Sequence, residues 1–208
     1  MSKSSGNISE IVIRRMPVYY RYLQELIDSG VERISSKDLS AITGYSASQI
    51  RQDLNNFGGF GQQGYGYNTI DLKDQIEKIL GIDKSYNTIV IGAGRLGQAI
   101  ARYKGFRNSG FNVISLFDIK DGIDDISGIK VRKMEDLENY IEEEKVEVAI
   151  ITVPREACED VAKRAIDAGV RGIWNFAPYD LEAPSGVVVE NIRLNDSLLT
   201  LSYFMKNL

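Results

Sequence analysis

The chain has 208 residues, 43% hydrophobic and 26% charged, a globular composition with room for two small domains and unlike that of a disordered or membrane-embedded protein. Its formal charge is −4 and it has no histidine, so nothing global advertises nucleic acid, and metal-hydrolase and triad chemistry lose their usual residue; no metal site is expected. The polar start Met1–Asn7 lacks the apolar run of a signal peptide and no later segment reaches membrane-spanning length, which predicts a cytoplasmic protein without a membrane partner; the single cysteine, Cys158, has no internal disulfide partner and reads as a buried thiol on a helix.

Residues 1–80 are read as a first domain. A helix is predicted from Pro17 to Ser29, with Tyr22, Leu23, Leu26 and Ile27 on one face and Gly30 as its stop. Ser35 and Asp38 are spaced as a capping box for a second, short helix that turns Leu39 and Ile42 inward. After the turn Thr43-Gly44-Tyr45, Ser46 and Gln49 cap a third helix, whose buried stripe is Ile50, Leu54 and Phe57 at i, i+4 and i+7. That stripe decides what faces out. Ser48, Arg51, Gln52 and Asn55 fall on the opposite side, with Ser46 and Gln49 at its start, all able to hydrogen-bond base edges or phosphates. Two helices joined by a tight glycine turn suggest a helix-turn-helix for double-stranded DNA. Up to Tyr67 seven Lys/Arg stand against six Asp/Glu, so this reading rests on local pattern, and a plain three-helix bundle with a solvated polar face is its alternative.

The decamer Gly58-Gly59-Phe60-Gly61-Gln62-Gln63-Gly64-Tyr65-Gly66-Tyr67 carries five glycines among aromatics. Placed directly after a recognition helix, it reads as the hairpin of a winged helix, with Gln62 and Gln63 towards DNA. Ile70 to Leu80, with Ile70, Ile76 and Leu80 among charges, is predicted to be a helix connecting the two domains, and the boundary falls between Gly81 and Asn87.

Residues 81–208 follow a different rhythm. The runs Thr88–Ile91, Val113–Phe117 and Val146–Thr152 alternate with helical stretches, as in a parallel sheet covered by helices. The first run leads into Gly92-Ala93-Gly94-Arg95-Leu96-Gly97, a G-x-G-x-x-G between strand and helix. Gly92 permits the tight turn, Gly94 the approach of a pyrophosphate, and Gly97 close packing of helix on strand. Asp118 stands 21 residues after Gly97 at the end of the next strand, where a carboxylate holds ribose hydroxyls. NAD(H) is thus favoured over NADP(H), with Lys120 two residues on as the cation that softens the discrimination. Thr152-Val153-Pro154 and Asn175-Phe176-Ala177-Pro178 fall at the ligand-binding edge of such a sheet, their plainer role being to turn the chain. Leu194, Leu198, Leu201, Met205 and Leu208 are spaced four, three, four, three, one apolar seam on a final helix that packs on its own sheet or on a partner.

Taken together, these motifs resemble the Rex family of bacterial redox-sensing transcriptional repressors along nearly the whole chain. The matching stretches are Arg51-Gln52-Asp53-Leu54 with the wing from Phe57 to Tyr67, the Ile91–Gly97 fingerprint, Ile150-Ile151-Thr152-Val153-Pro154, Asn175-Phe176-Ala177-Pro178 and Leu201-Ser202-Tyr203-Phe204. The resemblance implies an N-terminal winged helix-turn-helix domain, a C-terminal Rossmann-type parallel sheet, and a homodimer that exchanges its last helix between the partner's domains. It also implies binding of palindromic operators when NAD⁺ dominates and release when NADH closes the domains. By position, Arg51 would contact DNA, Gly92–Gly97 and Asp118 would hold the cofactor, Tyr103 would lie near the nicotinamide beside Val153, Pro154 and Phe176, and Arg21 would couple the first helix to the dimer core. Three positions depart from the family pattern. Gln52 and Gln63 stand where relatives often carry basic residues, which flattens the salt dependence of DNA binding by about 0.9 per lost phosphate contact. Arg193 stands where relatives often carry an aspartate in a network with the arginine and tyrosine, and it cannot accept a hydrogen bond from Arg21.

Two further readings share the nucleotide fold. A small NAD-dependent oxidoreductase would need a substrate domain and a proton donor, for which this chain has neither room nor histidine. A nucleotide-binding module of the acyl-CoA ligase type has no winged helix in front of it. The expected protein is therefore not an enzyme.

Overall fold

The computed structural model describes residues 8–58, 65–182 and 184–206. The chain divides into two compact units, residues 1–84 and 85–208.

In the first unit, α1 (Glu10–Asp28) starts seven residues before the predicted position. A proline is the ordinary marker of a helix start. Here Pro17 lies inside the helix on its exposed side, where its missing N–H costs least because water can serve the freed carbonyl. The buried stripe is accordingly Val12, Met16, Tyr19 and Leu23, while Tyr22, Leu26 and Ile27 are only half-buried. α2 (Ser36–Thr43) and α3 (Ala47–Asn55) begin as the capping residues predict: Ser35 Oγ accepts from the Asp38 N–H at 3.1 Å and Ser46 Oγ from the Gln49 N–H at 3.2 Å. Gly44 closes α2 in the left-handed region at φ 78°, which makes the tight turn between the two helices. Of the α2 residues expected inside, Leu39 is fully buried but Ile42 is exposed, one helical step past the core.

Short strands β1 (Arg33–Ile34) and β2 (Tyr67–Asn68) pair antiparallel, Ile34 opposite Tyr67. Gly66, at φ 70°, lies against this ribbon so closely that a Cβ would stand 2.7 Å from the Ile34 carbonyl oxygen. The tip of the wing, with Gln62 and Gln63, lies outside the described residues. α4 (Thr69–Leu80) is not a connector. Leu72 and Ile76 enter the same core as Met16, Leu23 and Leu54, so this helix completes the first unit, and Ile70 is exposed.

The second unit is a six-stranded sheet, all parallel, in the order β5-β4-β3-β6-β7-β8. Its strands are β3 (Tyr86–Ile91), β4 (Phe111–Asp118), β5 (Val131–Lys133), β6 (Val148–Ile151), β7 (Gly172–Asn175) and β8 (Val188–Asn191). α5 (Arg95–Arg102) and α6 (Gly105–Asn108) belong to one face, α7 (Leu137–Glu144) and α8 (Arg155–Asp167) to the other. Covering on both faces explains the unbroken apolar run of β3: Ile89 and Ile91 join the core under α7 and α8, Val90 the core under α5. Cys158 of α8 is fully buried, and burial raises its thiol pKa. Strand order reverses between β3 and β6, and in a sheet of this kind the crevice beyond the strand ends at that point is the ligand site.

The last helix, α9 (Leu194–Lys206), is predicted as a narrow seam and is broader than that. Leu194, Leu198, Leu201 and Met205 are 53–63% exposed, and so on the other sides are Leu199, Tyr203 and Phe204, at 63–68%. Leu208 lies outside the described residues. Among the described residues no helix is long and apolar enough to cross a membrane.

Candidate functional site

One candidate surface lies on the first unit. Ser48, Arg51, Gln52 and Asn55 are exposed along one side of α3, with exposed Ser46 and half-buried Gln49 at its N-terminus. Two of the serines are engaged locally: Ser46 and Ser48 share a hydrogen bond of 3.1 Å between hydroxyls, and Arg51 Nη1 donates to Ser36 Oγ at 2.9 Å. The Arg51 contact ties the middle of α3 to the first residue of α2 and leaves most of the guanidinium donors available.

The opposite side of α3 contains a feature that helical periodicity does not disclose. Asp53 is 2% exposed and accepts hydrogen bonds from Arg15 Nε and Nη2, both at 2.6 Å, and from the Tyr19 hydroxyl at 2.7 Å. Hydrogen bonding to Asp53 raises the Arg15 pKa, while burial and then the Asp53 hydrogen bond push the Tyr19 phenol far above its ordinary value. Arg15 and Tyr19 sit four residues apart on α1, so two successive turns grip one carboxylate and set the angle of the exposed face of α3. The available sequence signal was an acid beside Leu54 on the buried stripe; its partners are 34 and 38 residues away.

The second candidate site is a cleft of about 510 Å³ at the C-terminal ends of β3, β4 and β6. Gly92, Gly94, Leu96, Asp118, Val153, Pro154 and Phe176 all line it, so the two glycine-loop arms, the strand-end acid and the two later motifs meet in one place. The loop is held from behind. Gly92 N–H donates to the Phe117 carbonyl at 2.7 Å, Thr152 Oγ1 to the Gly92 carbonyl at 2.8 Å, and Gln98 Nε2 to the Ala93 carbonyl at 2.9 Å. Thr152 lines the cleft too, an anchoring role beyond the turn-forming one read for its motif.

Each glycine has a distinct steric reason. Gly92 has φ 102° and a Cβ there would stand 2.8 Å from the Thr152 carbonyl oxygen; a Cβ on Gly97 would stand 1.9 Å from the Gly92 oxygen. A Cβ on Gly94 would meet nothing within 4 Å, although this glycine lines the cleft. The space beside it is open to a ligand, and α5 starts there without a side-chain cap, leaving its first amide N–H groups for an anion. Asp118 is anchored by Oδ2 to the Ala93 N–H at 2.7 Å and by Oδ1 to the Lys120 N–H at 2.9 Å. Of the other fingerprint residues, Ala93 and Gly97 are buried in the loop's packing, and Arg95 is exposed in the first turn of α5.

Tyr103 is not among the residues lining the cleft. It caps the far end of α5, about 12 Å from Arg95 at 1.5 Å per residue, and is 62% exposed. A chain of edge-to-face aromatic contacts joins it to the cleft instead: Tyr103 to Phe106 at 4.8 Å, Phe106 to Trp174 at 5.4 Å and Trp174 to Phe176 at 4.6 Å.

Comparison with known proteins follows this division. Residues 7–55 match the family described as putative DNA-binding protein N-terminus, and residues 83–179 the family described as CoA binding domain. A protein of Clostridioides difficile (strain 630) named redox-sensing transcriptional repressor Rex is 53% identical over 205 residues, covering 96% of both chains. The chain belongs to the Rex family. A Clostridium perfringens (strain 13) Rex is 48% identical, over 100% of this chain and 98% of its own. Among solved structures, the Rex-family repressor RSP in complex with beta-NAD⁺ and operator DNA has a TM-score of 0.91 at 50% identity, over 97% of this chain and 94% of RSP. RSP in complex with beta-NADH has a TM-score of 0.89 at 47% identity, over 97% and 96%.

Two further positions of this Rex chain are each engaged within their own unit. Arg193, between β8 and α9, is committed to its own unit: Nη2 pairs with the Asp180 carboxylate, and Nη1 donates to the Ala177 carbonyl at 2.9 Å and the Ile192 carbonyl at 3.1 Å. It thus ties the root of α9 to the loop that carries Phe176. Arg21 is exposed on α1 with its guanidinium 5.0 Å from the centre of the Tyr22 ring.

Proposed function

We propose that this protein is a cytoplasmic, homodimeric repressor that holds palindromic operator DNA with α3 and the wing and releases it when NADH occupies the cleft of the second unit. The observation that carries the reading is the presence in one chain of an exposed, hydrogen-bonding helix face and a glycine-floored cleft at the strand ends. RSP, the relative solved with both NAD⁺ and operator DNA and with NADH, supports it.

On this reading Ser46, Ser48, Gln49, Arg51, Gln52 and Asn55 meet DNA, joined by Gln62 and Gln63 of the wing. Gly92, Ala93, Gly94, Arg95, Leu96 and Gly97 receive the pyrophosphate, Asp118 a ribose hydroxyl, and Val153, Pro154 and Phe176 the nicotinamide end. Tyr103 acts through the aromatic chain, within which its ring stands three contacts from Phe176. The open space at Gly94 and the uncapped start of α5 fit a dinucleotide; when bound, it supplies a redox-dependent ring charge for an apolar pocket to sense. Leu198, Leu201 and Met205 provide the dimer contact, since an exposed apolar helix of this extent is the kind of surface that a second chain covers. Arg21 and Arg193 are the switch positions on the two units.

Catalysis is not required of this arrangement. Asp118 and Lys120 are the two ionisable side chains among the residues lining the cleft, both at or just past the end of β4. DNA and NADH then weaken one another by linkage, each tenfold change in operator affinity corresponding to about 1.4 kcal/mol.

The test is a gel shift on a palindromic AT-rich duplex. The expected result is a complex that survives NAD⁺ and dissociates as NADH is added. A complex indifferent to NADH, or no complex at all, would refute the reading, and turnover of an alcohol or hydroxy acid with NAD⁺ would favour the oxidoreductase instead.

A further inference from the structure

Tyr103 closes α5 with its ring on the protein surface, 62% exposed, and a phenol so placed ordinarily moves among several rotamers. Here two neighbours in the chain hold it. Phe106 meets it edge to face at 4.8 Å, and Gly105 lies under its outer edge: a Cβ on Gly105 would collide with Tyr103 Cε1 and stand 2.6 Å from Cζ and 2.7 Å from the hydroxyl oxygen.

The backbone at position 105 does not itself call for glycine. Gly105 is the first residue of α6, its φ is outside the left-handed region, and a helical position favours alanine over glycine. The collision is also unlike the one at Gly97, where a Cβ meets the Gly92 carbonyl and the backbone must yield. At Gly105 the obstacle is the free end of an exposed side chain, which a χ1 rotation swings into solvent. A methyl there spares the fold and displaces the ring. Phe106 then loses its outer contact, and the aromatic chain through Trp174 to Phe176 loses the end that fixes it.

We propose that Gly105 is a positioning residue for the redox response: its bare Cα is the seat that holds the Tyr103 ring against Phe106, and so keeps the Phe176 wall of the cleft in the arrangement that tells reduced from oxidised nicotinamide. The inference rests on the dinucleotide reading of the cleft and on the part given there to Tyr103, and it adds the residue that sets Tyr103. Gly105 is not among the residues lining the cleft, so its effect on the ligand passes through the ring.

A double-mutant cycle tests this, with calorimetric Kd values for NADH and for NAD⁺ in the full-length parent, Gly105→Ala, Tyr103→Ala and the double variant. The parent is expected to bind NADH the tighter. Gly105→Ala lowers the NAD⁺-to-NADH Kd ratio at least about fivefold while Tm stays within about 4 °C of the parent, and made in the Tyr103→Ala background it changes the ratio by less than about twofold. A ratio that Gly105→Ala leaves unchanged where Tyr103→Ala lowers it overturns the proposal, as does an equal fall in both backgrounds, which would mean that the methyl acts other than through the ring. If Tyr103→Ala itself leaves the ratio unchanged, the part given to Tyr103 fails and the proposal falls with it. A parent that binds neither cofactor fails the dinucleotide reading first, a distinct result. A general loss of folded protein affects both titrations alike and leaves the ratio in place.

Discussion

The two units place their polar groups in opposite ways. The first has, among its described residues, only a ribbon of two two-residue strands to orient its helices, and it keeps an ion pair inside its core: Arg15, Tyr19 and Asp53 lie among Met16, Leu23, Ile50 and Leu54. The second has six hydrogen-bonded strands to fix its geometry. Its strand interiors are largely apolar, and its functional polar groups collect at the strand ends, where Asp118, Thr152 and Asn175 anchor the loops around the cleft. Apolar packing without a ladder leaves a helix free to rotate and slide, so the small unit sets the attitude of α3 with directional bonds. A ladder already supplies direction, so the large unit can spend its polar groups on a ligand.

The sharpest way to break this contrast is Asp53→Ala. It leaves the Arg15 guanidinium largely buried without its carboxylate and should cost about 3–5 kcal/mol, read by urea denaturation. A cost below about 1 kcal/mol would mean that the cluster is ornamental. In the second unit, Gly97→Ala should cost about 1–3 kcal/mol, because the Gly92 carbonyl must retreat from the new methyl, and should abolish NADH binding by distorting the loop. Gly94→Ala separates space for the fold from space for the ligand: nothing in the protein meets its Cβ, so melting should shift by less than about 1 kcal/mol while NADH affinity, followed by fluorescence, drops at least tenfold.

Arg51→Ala tests the exposed face of α3 rather than its core. Operator affinity should fall by about 1–3 kcal/mol in a gel shift, with NADH affinity and melting unchanged. The smallest effect belongs to Tyr19→Phe, which removes one hydrogen bond to Asp53 for about 1 kcal/mol at neutral pH. It also carries a pH signature. The Tyr19 phenol is raised in the folded chain, so its contribution is complete below the unfolded value near 10 and declines as pH climbs above it, because the unfolded chain then sheds a proton that the native one keeps. Stability measured from pH 9 to 11 should fall less steeply in Tyr19→Phe than in the parent; identical slopes would detach Tyr19 from the alkaline behaviour.

The sequence was most informative where chemistry is local. Ser35 and Ser46 cap the helices they precede, Gly44 makes the turn, and the G-x-G-x-x-G with Asp118 specifies a strand, a loop and a partner acid, since each depends on residues within a turn or on one parallel crossover. It misled where one residue type has two uses. Pro17 marks a helix start by habit and here sits inside α1 on the solvent side; the Ile70–Leu80 helix has the polarity of a connector, yet its Leu72 and Ile76 close the first core.

What the order of residues determined by itself was the division into a helical unit and a parallel sheet, together with where the glycine loop and its partner acid Asp118 would stand, because hydrophobic period and glycine placement act over short distances. What only the folded chain decided was which distant groups meet: Arg15 with Asp53 across 38 residues, Tyr103 linked to Phe176 through Phe106 and Trp174, and Arg193 turned to Asp180 and Ala177. A side chain's partner is set by the packing of whole elements, and no local pattern encodes how two elements are brought together.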